Sequence, residues 1–280
     1  MKLGLALAGG GIKGAAHVGV LKAFQEKNIE IDMISGASSG SIVATLYAMG
    51  YRVDEIYTFF KKYAKEVKYA DWSNIVKLTS GILLGKGITI TGLTKGEALI
   101  EFFKERCQEK NIRTITDIKF PLYMSSVNLE TGEVYIFTNS KCQYEEGMQL
   151  VNNITIPIAV RASCSYPGVF EPVNWNGHML IDGGIRENIP WEVLQYCGAT
   201  KVISVVFEEE NKKLCDKNMV NVIDCAIHYL NGEILKEELE GAKNVITIKT
   251  PSVGLLDYTK VDELYELGYR VARKYLNEKF

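Results

Sequence analysis

The chain is short of histidine, of long apolar runs and of surplus positive charge, and each shortage narrows what it can do. Its 280 residues include three histidines, His17, His178 and His228, so a Ser-His-Asp triad can be tested by elimination. No stretch approaches the ~20 apolar residues of a membrane-spanning helix. The opening run at 1–8 is too short for a secretion-signal core and leads straight into glycines, so it reads as a first strand, and a cytoplasmic protein is expected. A formal charge of −2 lacks the basic stripe of a nucleic-acid binder, and no nucleic-acid partner is expected. Peripheral contact with a lipid surface stays open, because a local patch can dock without a large net charge. The six cysteines (Cys107, Cys142, Cys164, Cys197, Cys215, Cys225) show no C-x-x-C pair or zinc spacing and are expected to be reduced packing residues. Repeats, low-complexity tracts and linkers are missing as well, which favours one domain over 1–280.

What is present alternates. Apolar runs at 3–8, 31–35, 179–181, 202–207 and 245–248 read as strands. Helical spacing marks 15–27, 42–49, 54–65, 154–161, 191–196, 220–240 and 261–276. Short connections between successive elements imply parallel strands with both faces of the sheet covered, an α/β fold with a mainly parallel central sheet. One interruption stands at 122–138, where two β-rich runs flank Glu130-Thr131-Gly132-Glu133 and read as a hairpin. The apolar, glycine-punctuated stretch 71–94 reads either as a buried irregular loop or as a flap over an active site. In the last helix Leu264, Leu267 and Val271 oppose Arg270, Arg273 and Lys274, a stripe expected to dock on the domain rather than on a membrane.

Two glycine-rich turns carry the chemistry. Gly36-Ala37-Ser38-Ser39-Gly40 matches G-x-S-x-G between a strand and a helix, where the turn holds the serine strained with its hydroxyl exposed. Gly9-Gly10-Gly11-Ile12-Lys13-Gly14 follows the first strand and opens the first helix. Its glycines free the backbone to turn N–H groups inward and form an anion site. As an oxyanion hole, Gly10 and Gly11 would each offer an N–H worth about 3–4 kcal/mol to a tetrahedral intermediate, with Lys13 adding charge. The same loop satisfies the dinucleotide fingerprint G-x-G-x-x-G, with Glu30 or Asp32 near the ribose-binding distance, and a nucleotide-binding protein is the rival reading. A serine needs a base. His228 falls in mid-helix, His17 lies one turn into the first helix, and His178 sits at a strand edge; none is placed as one. Asp182 ends an apolar strand and precedes Gly183-Gly184. It stands where open α/β sheets place their ligands, although an Asp-Gly turn alone would account for it.

In this order the blocks resemble those of the patatin-like phospholipases: the glycine loop, the serine elbow and Asp182-Gly183-Gly184. The stretch Gly14-Ala15-Ala16-His17-Val18-Gly19-Val20-Leu21 is similar to that family's first helix. Arg161-Ala162-Ser163-Cys164-Ser165-Tyr166-Pro167-Gly168, with the later Phe170-Glu171-Pro172-Val173, is similar to its Ala-Ser block. The resemblance implies a three-layer α/β/α sandwich and a Ser38–Asp182 dyad in place of a triad. It also implies an oxyanion hole among Gly9, Gly10, Gly11, Lys13 and Gly14, with Gly36, Gly40, Gly183 and Gly184 shaping the turns, and hydrolysis of fatty-acyl esters of the phospholipid or lysophospholipid class. Many members carry arginine where this chain has Lys13, which keeps the charge but loses the bidentate fork. No metal or cofactor is expected, since the carboxylates show no calcium-loop pattern. Thioesters and simple carboxylic esters present the same carbonyl to Ser38 and remain alternative substrates.

Overall fold

Strand β1 (Leu3–Leu7) is apolar on both sides. Leu3, Leu5 and Leu7 join one buried cluster, while Ala6 and the following Ala8 join another. A strand buried on both faces belongs in the middle of a sheet with helices above and below. The computed structural model, which describes residues 2–66, 91–142, 147–209 and 219–280, places it there. The other strands are β2 (Met33–Gly36), β3 (Gly92–Thr94), β4 (Leu122–Asn128), β5 (Val134–Thr138), β6 (Met148–Val151), β7 (Gly168–Phe170), β8 (Val173–Trp175), β9 (His178–Asp182), β10 (Lys201–Glu209) and β11 (Val245–Thr250). The helices are α1 (Gly14–Glu26), α2 (Ser39–Ala48), α3 (Val53–Glu66), α4 (Glu97–Lys110), α5 (Ile156–Ser163), α6 (Glu192–Tyr196), α7 (Met219–Glu238) and α8 (Val261–Lys279).

The main sheet runs β11-β10-β1-β2-β4-β5-β6, with β9 on β4 and β8 on β9. From β11 to β4 the pairing is parallel throughout. The hairpin read at 122–138 is the antiparallel pair β4–β5, and a short separate sheet joins β3 to β7. Alternation along each strand sorts the layers. Ile34, Leu122, Phe137, Ile203 and Ile246 face the side of α1, α2 and α8, whereas Met33, Tyr123, Ile136, Val202 and Val245 face α6 and the end of α7. The architecture is therefore the expected α/β/α sandwich around a mainly parallel sheet.

Helix α8 lies against α1 so closely that a Cβ on Gly268 would overlap the Ala16 carbonyl and one on Gly19 the Tyr265 carbonyl. The apolar stripe of the last helix thus docks on the domain, with Leu264, Ala272 and Leu276 in the core. Several elements are not legible as such: helix α4, which buries Phe102 and Phe103 yet is charged at half of its positions, the half-exposed edge strand β6, and the short strands β3, β7 and β8. The cysteine expectation needs correction: Cys142 and Cys197 are joined in a disulfide across 55 residues, with Cα atoms 5.5 Å apart. Their spacing gave no signal because the pairing is made by tertiary proximity. Cys107 and Cys164 are free and buried, as expected. The candidate flap at 71–94 lies outside the described residues except at its end, where β3 forms. No helix among the described residues is long and apolar enough to cross a membrane.

Candidate active site

The site arises where two strands meet head to head. Strand β2 runs parallel to β4 and ends with Gly36 opposite Met124, while β9 runs antiparallel to β4 and ends with Asp182 opposite Ser126. Since β5 occupies the other edge of β4 along 123–127, β2 and β9 share one edge and their C-terminal ends point at each other. The sequence places Asp182 at the correct sheet edge, but it arrives there from the opposite direction to the parallel strands. Buried serines of β4 secure the arrival: Ser126 Oγ donates to the Ile181 carbonyl at 2.7 Å and Ser125 Oγ to the Glu187 carbonyl at 2.8 Å.

After Gly36 the chain turns sharply into α2. Ser38 holds φ 47° and ψ −123°, a left-handed φ costly for a residue with a Cβ. Gly36 and Gly40 permit the close turn, since a Cβ on Gly36 would overlap the Gly40 carbonyl carbon and one on Gly40 the Leu7 carbonyl oxygen. The Ser38 N–H donates to Ser163 Oγ at 3.1 Å, and Ser41 Oγ donates to the Ser38 carbonyl at 2.6 Å. Facing Ser38, Asp182 is 1% exposed. Its Oδ1 accepts the Gly184 N–H at 2.8 Å, while Oδ2 is buried on the side of Ser38 with no partner at full hydrogen-bond geometry among the described residues. Burial pushes the Asp182 carboxyl up to about 7, against the opposing pull of the Ser38 side chain, the Gly184 N–H and the charge of Arg161. A carboxylate raised in this way is a far better base near neutrality than one in water.

The glycine loop divides by hydrogen bonding. Gly9 and Gly14 line the turn, but their N–H groups are committed, Gly9 to Asn188 Oδ1 at 3.0 Å and Gly14 to the Gly11 carbonyl. Both N–H groups thus already have acceptors, and Gly14 lets α1 approach α2, since its Cβ would lie 2.7 Å from Ser39 Cβ. The N–H groups of Gly10 and Gly11 are used by no backbone or side-chain acceptor among the described residues, and both glycines line the cavity with Ser38 and Asp182. Lys13 reaches the same cavity, but its Nζ is paired at 3.1 Å with buried Glu209 Oε2. Its charge is thus largely offset, a partner that sequence position could not show.

The histidines fall where the elimination placed them. His17 is fully buried beneath the loop, donating Nε2–H to the Ala8 carbonyl at 2.7 Å, and burial lowers it to about 4. His178 contacts Asn128 at 3.3 Å on the far end of β9, and His228 lies on α7. The nucleotide reading loses its acid. Asp32 accepts the Leu3 N–H at the start of β1, and Glu30 precedes it, whereas the glycine loop follows the end of β1. Roughly 15 Å of strand separates the two.

Two cavities meet at Ser38. One holds the polar groups Lys13, Asp182, Asn188, Glu209 and Asn231. The other is an almost wholly apolar cleft between Ile42, Phe60, Ala64, Cys164 and Phe170, and both share Ser38, Tyr166 and Leu255. Asn188, Ser163 and Glu209 are the residues that sequence reasoning missed. The asparagine follows Asp182 in the same turn, but nothing in one chain shows that this turn folds back on Gly9.

A strained elbow serine, a facing buried aspartate and a glycine loop on an α/β/α sandwich define a class of fold and site. The patatin-like phospholipase family matches residues 5–194, and the chain belongs to that family. Lysophospholipase NTE1 of Lodderomyces elongisporus is 28% identical over 302 aligned positions, covering 99% of this chain and 19% of that protein. Lysophospholipase NTE1 of Saccharomyces cerevisiae is 26% identical, covering 98% of this chain and 16% of that protein. The chain therefore spans about a fifth of the length of these relatives. Among solved structures, VipD from Legionella pneumophila matches 99% of this chain and 67% of its own, with a TM-score of 0.54 and 17% identity, a likeness of fold.

Proposed function

We propose that the chain is a serine lipid acyl hydrolase that cleaves fatty-acyl esters, of the phospholipid or lysophospholipid class, through Ser38 and Asp182. The observation that carries this is Ser38, held at a left-handed φ on an elbow and facing a buried carboxyl pushed up to about 7. As Ser38 Oγ attacks the ester carbonyl, its proton passes to Asp182, and the oxyanion is met by the N–H groups of Gly10 and Gly11. The intermediate collapses to an acyl-serine. The proton on Asp182 goes to the departing alcohol oxygen. Asp182 then takes a proton from water, the hydroxide oxygen attacks the acyl carbonyl, and the fatty acid leaves as the proton returns to Ser38 Oγ. The apolar cleft suits the acyl chain and the polar cavity the alcohol portion. The names of the relatives, lysophospholipases, agree with that division.

The test is hydrolysis of p-nitrophenyl esters over a range of acyl lengths, alongside lysophosphatidylcholine, with wild type, Ser38→Ala and Asp182→Asn. Turnover by wild type is expected, with Ser38→Ala at background and Asp182→Asn reduced by about 10²–10⁴-fold. A folded wild type inert on every ester would sink the reading, as would an Asp182→Asn variant of near-full activity.

A further inference from the structure

Arg161 is 1% exposed, and its guanidinium makes three hydrogen bonds: Nε to the Lys95 carbonyl at 2.9 Å, Nη1 to Ser165 Oγ at 2.6 Å and Nη2 to the Glu171 carbonyl at 2.7 Å. None of these acceptors is a carboxylate. A permanent cation buried on neutral acceptors is costly unless an anion elsewhere benefits from it. The acceptors tie the loop after α5 to the site. Ser165 Oγ donates in turn to the Arg161 carbonyl, and the Ser165 carbonyl accepts the Asp182 N–H at 3.1 Å. Two residues before Ser165, Ser163 Oγ accepts the Ser38 N–H. One short segment, 161–165, therefore grips both members of the pair.

We propose that Arg161 is the positioning residue of the Ser38–Asp182 pair: through Ser165 it locks the loop whose backbone holds Asp182, and it brings a buried positive charge to that side of the site. The inference rests on the dyad reading above. The titratable groups acting on Arg161 are Cys164 beside it, Tyr63 from α3, Glu171 and Asp182. Burial keeps the Cys164 thiol and the Tyr63 phenol neutral. Glu171 and Asp182 are then the two carboxylates that feel the cation, and Asp182 is fully inside. On Asp182 itself, Arg161 is the charged group that favours ionisation. Removing it must raise the pH at which Asp182 loses its proton.

The experiment is a ¹³C NMR titration of the Asp182 carboxyl together with pH profiles of kcat/KM for Arg161→Gln, Arg161→Lys and Ser165→Ala. In Arg161→Gln both the NMR midpoint and the acid limb of activity are expected to move up by about one pH unit. Arg161→Lys keeps the charge and loses the fork, so the midpoint is expected to hold while kcat falls about tenfold. Ser165→Ala is expected to lower kcat with KM little changed. An unshifted Asp182 midpoint and a superimposable pH profile in folded Arg161→Gln would overturn the proposal. Should that variant not fold, unchanged kcat in both Arg161→Lys and Ser165→Ala would do so. The NMR readout needs no turnover, so a protein inert on esters would refute the hydrolase reading and leave this test standing.

Discussion

Asn188 Oδ1 accepts the Gly9 N–H at 3.0 Å, which joins the glycine loop after β1 to the turn that carries Asp182. The Asn188 N–H in turn donates to Glu238 at the end of α7. The glycine loop and the Asp182 turn are thereby fixed relative to each other by one side chain, which under the proposed mechanism need not touch the reacting atoms. Asn188→Ala leaves the Gly9 amide without its acceptor and frees the loop to shift. A misplacement of this kind costs transition-state stabilisation more than ground-state binding. The expected outcome is a fall in kcat of about 10-fold or more with KM within a factor of two or so, measured on a soluble ester. A variant altered only in KM would show that the loop is held independently.

Activity and stability are expected to move in opposite directions with pH. Burial raises the carboxyls of Asp182 and Glu238 to about 7, and burial with neighbouring acids raises Glu187 well above its ordinary value. Each of these binds a proton more tightly in the folded chain than in the unfolded one, so folding stability falls as pH rises from about 4.5 through 7. His17 opposes them: burial lowers it to about 4, and its contribution is lost as pH falls below 6.5. Three acids outweigh one histidine across that window. The Tm is expected to be higher near pH 5.5 than at pH 8. kcat/KM should instead climb through an acid limb near 7 as Asp182 becomes the free base. Parallel rather than opposed profiles would mean that Asp182 is not the titrating base.

The local conformation of the site is legible because it lies in contiguous residues. Gly36 to Gly40 and Gly9 to Gly14 each announce a turn that the backbone then adopts, and the left-handed Ser38 follows from the first. What joins distant segments is not written locally. The head-to-head ends of β2 and β9, the Asn188 clamp, the Lys13–Glu209 pair and the Cys142–Cys197 bond connect positions 55 to 196 residues apart. Helix α4 escaped for another reason: its charged exposed face dilutes an apolar stripe that is only plain once Leu99, Phe102 and Phe103 are seen against the core.

The apolar cleft beside Ser38 sets an expectation for acyl length. Ala64 lies on its wall with Phe60 and Phe170, and a phenylalanine there would occupy space meant for methylenes. Each methylene excluded from an apolar pocket weakens discrimination in its favour by about tenfold or more. In Ala64→Phe the ratio of kcat/KM for dodecanoyl over butyryl esters is expected to drop by about tenfold. An unchanged ratio would place the acyl chain elsewhere.

The closeness of α1 and α8 separates two glycines that look alike in the sequence. A Cβ at Gly268 would overlap the Ala16 carbonyl, whereas one at Gly232 in α7 would meet nothing within 4 Å among the described residues. In Gly268→Ala the two helices must part, and overpacking of this kind costs about 1–3 kcal/mol. Gly232→Ala changes helix propensity and unfolded-chain entropy alone, and is expected to be neutral or stabilising by up to about 1 kcal/mol. Urea unfolding of both variants decides the matter. The midpoint should fall for Gly268→Ala and hold or rise for Gly232→Ala. Equal midpoints would mean that α8 is not packed on α1 as closely as Gly19 and Gly268 require. The last helix would then be free to dock on another surface.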